Sequence, residues 1–70
     1  MTLPLSGSFV SIEYLEIDEI EVKCWLTEFH MIGFIDNIDM KIKLSDLGKK
    51  CVVQVIDIDD ETGRIDLKNY

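Results

Sequence analysis

The 70-residue chain has one proline, two cysteines, one histidine and seven basic residues, and each scarcity closes off a class of protein. Two cysteines are too few for the disulfide lattice of a small secreted domain, and Cys24 and Cys51 lack the Cys-x-x-Cys spacing of a zinc or redox pair. Both fall on an apolar alternation, where a thiol behaves as a small hydrophobe, so free cysteines in a reducing compartment are expected. A lone His30 with no nucleophile signature around it gives no Ser-His or Cys-His pair. There is no Gly-rich phosphate loop, and no apolar run approaches the roughly twenty residues that span a bilayer. Met1 to Ser8 carries no basic segment and no extended apolar core, so an export signal is not expected. These absences predict a cytoplasmic protein with no membrane partner, no cofactor, no metal and no catalytic role.

Positive charge is the scarcity with the most consequence. Fourteen acidic residues face seven basic ones, a net charge of −7, and the imbalance sits in one half. Residues 1–39 hold eight acids against Lys23 alone, whereas residues 40–70 balance six against six. Binding to phosphates draws its affinity from Lys and Arg that release counterions, so the first half is poorly suited to it. Its acids serve either solubility or contact with a basic protein surface.

What is present is β-pattern. From Cys51 to Leu67 apolar residues alternate at Cys51, Val53 and Val55, change phase to Ile56 and Ile58, and resume at Ile65 and Leu67 after an acidic turn closed by Gly63. β-branched residues at period two predict a hairpin buried on one face, with Gly63 supplying a positive φ and the phase change at Val55–Ile56 marking a bulge. A first strand is expected over Phe9–Ile17, with Val10, Ile12 and Tyr14 on one face and Leu15 and Ile17 on the other. The second strand alternates Ile20, Val22, Cys24 and Leu26 inward with Glu21, Lys23, Trp25 and Thr27 outward. In the third, Met31, Gly33 and Ile35 oppose Ile32 and Phe34. Between Asn37 and Lys50 the pattern lapses, and Ser45 to Gly48 suits one helical turn with Ser45 as its N-cap and Gly48 as its stop.

Five strands with a short helical or irregular segment between the third and fourth predict an all-β fold, a small five-stranded OB-fold barrel forming a single domain over residues 1–70. The acidic turn Asp57 to Gly63 does not fit a calcium loop, because an EF-hand needs Gly at position six and Glu at twelve, where this chain has Thr62 and Lys68.

The hairpin residues Ile58, Asp59, Gly63, Arg64, Ile65 and Leu67 resemble the last two strands of the S1-type branch of the OB-fold, and Gly33-Phe34-Ile35 resembles the opening of its third strand. The likeness covers most of residues 6–68. It is also similar to the S1-like domain of the alpha subunit of translation initiation factor 2, through Cys51-Val52-Val53, Gly63 to Leu67 and Glu28-Phe29. Two departures stand out: the second strand lacks the family's Phe-Gly-x-Phe, and Asp36 occupies the position of its usual histidine.

The resemblance implies an RNA-binding module of the translation or RNA-processing machinery, with single-stranded RNA or a ribonucleoprotein as partner. Barrels of this kind stack bases on outward aromatics and track the backbone with cations. The residues for that role are Lys23, Trp25, Phe34, Arg64 and the cluster Lys41, Lys43, Lys49 and Lys50. The alternative is an acidic protein-interaction module, or an inhibitor or mimic built on the barrel without its nucleic-acid surface. Small viral relatives of the initiation-factor domain act as decoys for the kinase that phosphorylates it. In the first reading Trp25 stacks on a base; in the second it packs against a protein or the N-terminal lead.

Overall fold

A computed structural model describes residues 2–69; Met1 and Tyr70, the two ends of the expected domain, lie outside them. Five strands, β1 (Phe9–Ile17), β2 (Glu21–Leu26), β3 (Met31–Asp36), β4 (Lys50–Ile58) and β5 (Ile65–Lys68), close into a barrel in the order β1-β2-β3-β5-β4. Neighbours run antiparallel except β3 and β5, which pair in parallel through Phe34 with Asp66 and Ile35 with Leu67.

Period-two burial makes the interior. Val22, Cys24 and Leu26 of β2 are fully enclosed with Ile12, Val53, Val55 and Ile65, while Glu21, Lys23 and Trp25 alternate with them on the outer surface. The barrel bends at two bulges. The expected one lies in β4, where the register with β5 slips between Val55 and Asp57 and leaves Ile56 as the extra, half-exposed residue. The other lies in β1 between Tyr14 and Glu16, so Leu15 is turned out and Ile17 returns to pack on the core. Leu15 and Ile17 therefore do not share a face, because the inserted residue restores the phase.

Two further expectations are corrected. Ile20 is 70% exposed, because β2 begins at Glu21 and the preceding residues form the β1–β2 turn. The turn in the β3–β4 connection is a single 3-10 turn over Leu44–Asp46, with Lys43 rather than Ser45 at the N-cap position. Its start is fixed from within: the Asp46 carboxylate accepts the Lys43 backbone N–H at 2.9 Å. Gly48, at φ 83°, does end the segment.

One buried polar side chain ties this connection to the barrel. Asn37 is 4% exposed; its Nδ2 donates to the carbonyls of Asp18 at 2.9 Å and Ile42 at 3.0 Å, and its Oδ1 accepts the Ile42 N–H at 3.1 Å. Its own N–H donates to the Ile20 carbonyl at 2.9 Å. A single amide thus joins the β1–β2 turn to the β3–β4 connection.

Aspartates fasten the turns. Asp18 accepts the N–H groups of Ile20 and Glu21, both at 2.8 Å, and Asp59 accepts those of Glu61 at 2.9 Å and Thr62 at 3.3 Å. Hydrogen bonds from backbone N–H groups, with help from Lys49 at Asp46, hold the carboxyls of Asp18, Asp46 and Asp59 below the usual carboxylate range. A carboxyl depressed on folding contributes stability above its unfolded value and loses it as pH falls through the folded one. The urea midpoint should therefore drop as pH falls below about 4. Replacing all three by asparagine, which keeps an accepting oxygen, should flatten that acid limb. Superimposable pH profiles for the two proteins would refute this account.

Both cysteines are free thiols. Burial first, and Cys51 second, push the Cys24 thiol up to about 12, so it stays protonated. Cys51 is only partly covered; its Sγ–H donates to the Tyr14 hydroxyl at 3.4 Å, and Tyr14 donates to Asn69 Oδ1 at 3.3 Å.

Candidate functional site

The outer surface of β2, β3 and β5 collects four of the eight expected site residues. Antiparallel register sets Lys23 opposite Phe34 and Trp25 opposite Ile32, and the parallel pairing sets Asp66 on the far side of Phe34. Trp25, Ile32 and Phe34 are half-buried, so a strip of apolar and aromatic surface runs over two strands. Arg64, just before β5, lies over the Phe34 ring with its guanidinium carbon 4.2 Å from the centroid. The other four residues are elsewhere. Lys41 and Lys43 belong to the β3–β4 connection, Lys49 follows its 3-10 turn, and Lys50 opens β4, separated from Trp25 by Glu13 of β1.

The two cations beside the aromatic side chains, Lys23 and Arg64, are already engaged. Lys23 Nζ is 3.3 Å from Glu16 Oε2, and Arg64 reaches Glu21 through Nη2 at 3.1 Å and Asp66 through Nε at 3.0 Å. Hydrogen bonds to Asp66 and then Glu21 raise the already high pKa of Arg64 further. With Glu13 opposite Trp25 and Asp36 opposite Glu21, five carboxylates accompany three cations on this surface, Lys23, Arg64 and Lys68 at the end of β5. Trp25 has a ring neighbour as well: the His30 ring lies nearly parallel to it, 5.9 Å between centroids and 11° between planes, and leaves the indole half-buried. His30 takes a left-handed backbone, φ 54°, in the turn between β2 and β3.

No family model matches the chain, and no curated protein matches it. Solved structures do. A chain of the a/eIF2alpha–aDim2p–rRNA complex from Pyrococcus horikoshii is 27% identical, with a TM-score of 0.79 over 94% of this chain. The intact alpha subunit of aIF2 from Pyrococcus abyssi, also 27% identical, gives 0.78 over 94% of this chain. This is an S1-like OB fold. The S1-like barrel spans 44% of the first of those chains and 28% of the second. An uncharacterized protein from Methanocaldococcus jannaschii, 25% identical with a TM-score of 0.77, is matched over 96% of its own length, so there the barrel fills nearly the whole chain.

The carboxylate partners are the part of this S1-like surface that strand patterns do not reveal. Glu21 shares the outward phase of Lys23, and that much is visible in the alternation. Its partner Arg64 is 43 residues away, and Glu16 reaches Lys23 only because the β1 bulge shifts the register by one. Among the described residues no three His, Cys, Asp or Glu side chains converge as a metal-ligating group. No helix among them is long and apolar enough to cross a membrane.

Proposed function

We propose that this chain is a non-catalytic S1-like module of the translation machinery that works through protein contacts, as an acidic interaction module or a mimic of an initiation-factor domain. The translational setting is supported by the likeness to the aIF2 alpha subunit and to a chain of the a/eIF2alpha–aDim2p–rRNA complex. The choice of protein over RNA rests on one observation: Lys23 and Arg64 are both held by carboxylates of the same face. Exposed pairs of this kind are weak individually, so a phosphate could displace them. It would then sit among Glu13, Glu16, Glu21, Asp36 and Asp66, and repulsion from those groups offsets what the two cations contribute. The lysines at 41, 43, 49 and 50 do not border the aromatic strip: Lys50 is separated from Trp25 by Glu13, and the other three lie in the β3–β4 connection.

Trp25 reports directly on the choice. Single-stranded RNA at low ionic strength is expected to leave its fluorescence unchanged. Quenching that weakens with salt, at a log–log slope of about −0.7 per phosphate contacted, would establish RNA binding at this face and overturn the proposal. The protein side is tested by displacement. Proteins retained on an immobilised S1-like domain of an aIF2-type alpha subunit are expected to be eluted by this chain; elution of none would count against it.

A further inference from the structure

An apolar surface lies at the barrel end where the β1–β2 turn meets the β3–β4 connection, and it reaches the edge of the aromatic face. Ile17, Ile20, Met40, Ile42 and Leu44 line a groove of about 710 Å³ there. A second groove of about 540 Å³ shares Ile20, adds Ile38 and Ile56, and is bordered by Phe34 and Arg64 of the aromatic face. Ile20 and Ile38 are each 70% exposed and Leu44 is 74% exposed, so large apolar side chains are grouped in contact with water at this end of the barrel. The floor is preformed rather than collapsible, because Asn37 bonds one wall at the Asp18 carbonyl and the other at Ile42.

Charge selects the occupant. Six carboxylates (Asp18, Glu19, Glu21, Asp36, Asp57 and Asp66) line the two grooves against Lys43 and Arg64, and Arg64 is already held by Glu21 and Asp66. A second copy of a chain with net charge −7 is repelled, and so are an anionic lipid surface and a nucleic acid. Fold selects its conformation. The sheet is closed through all five strands, so an added β-strand finds no long free edge, and an amphipathic helix laid in a groove is the mode that remains.

We propose that the grooves around Ile20 form a docking site for a basic amphipathic helix of a partner protein, its apolar side chains seated between Ile20, Met40 and Leu44 and its Lys or Arg residues facing Asp18, Glu19 and Asp36. The site rests on the protein-contact reading above and gives it a location.

Amide NMR spectra of the chain, titrated with synthetic peptides of about 18 residues, test it. A Leu/Lys amphipathic peptide is expected to bind saturably, with the largest shifts at Ile20, Ile38, Met40 and Leu44. A Leu/Glu counterpart and a Lys/Ser peptide without apolar residues are expected to bind at least tenfold more weakly. Met40 has φ 54°, so Met40→Gly removes a groove side chain at a position where glycine is the better-tolerated residue. That variant should lose about tenfold in affinity with no fall in melting temperature. Equal binding of the Lys/Ser peptide, no saturable binding, or an unchanged affinity of Met40→Gly would overturn the site. Shifts centred on Trp25 and Ile32, which line neither groove, would overturn it too, yet leave the protein-contact reading standing, since that reading fails only by RNA quenching or by the absence of displacement.

Discussion

Asn37→Ala is expected to destabilise the protein by about 3 kcal/mol, because it strands polar groups at Asp18 and at both ends of the Ile42 peptide, each costing about 1–3 kcal/mol when buried without a partner. Water that enters the vacated space reduces the sum of three such losses. A domain of this size has a total stability of only about 4–10 kcal/mol, so the variant loses a large part of its margin. The melting temperature should fall by more than about 10 °C, given about 4–8 °C per kcal/mol for small domains. Asn37→Asp keeps one acceptor but removes both donors and sets a negative charge against two carbonyl oxygens, so it should be no more stable than the alanine variant. Urea unfolding of the three proteins measures this. A change within about 0.5 kcal/mol for Asn37→Ala would place the substitution among ordinary surface changes and refute the structural role.

Gly33 is the second vulnerable position, for a reason unconnected with backbone freedom. It lies in β3 facing inward, and a Cβ added there meets Leu67 Cδ1 at 2.7 Å, Leu26 Cδ1 at 2.9 Å and Leu67 Cγ at 3.2 Å. Those are side-chain ends that would normally yield, but both leucines are enclosed on all sides in a close-packed interior. Overpacking of this kind costs about 1–3 kcal/mol for one added methyl, and Gly33→Val should exceed the alanine cost. Gly7, Gly48 and Gly63 have open space around the same virtual atom, so their alanine variants test φ alone. Thermal melts should rank Gly33→Val below Gly33→Ala, and both below wild type. A Gly33→Ala melting temperature equal to that of wild type would show that the leucines have room to move.

Much of the fold is legible in the chain because a strand buried on one face writes its period directly into the residues. Val22, Cys24 and Leu26 against Lys23 and Trp25 give both the strand and its orientation, and the bulge at Ile56 is visible as a break in phase. Ends and turns are less legible. Ile20 continues the apolar alternation of β2 and yet points to solvent, since the local pattern does not reveal where pairing with β3 stops. Ser45 has the chemistry of a cap, but the carboxylate of Asp46 reaches back and starts the turn earlier. Asn37 reads as one polar residue in an irregular stretch, and nothing local indicates that it is buried. The aromatic face was half legible: the alternation places Trp25 and Lys23 on it. Of the carboxylates that hold its cations, Asp66 neighbours Arg64 in sequence, but Glu21 is 43 residues from Arg64 and Glu16 meets Lys23 only through the β1 bulge, so neither of those pairings can be read from a local pattern.

The junction of β3 with β5 has a consequence for how the protein is made. β5 is four residues long and occupies the place between β3 and β4, so neither of those strands has its full set of neighbours until Ile65–Lys68 have left the ribosome. Until then β1 to β4 form a sheet with two unsatisfied edges, the kind of surface that chaperones hold and that sticks to other nascent chains. A nonsense codon anywhere before Ile65 thus yields a product for proteolytic clearance and not a smaller working barrel.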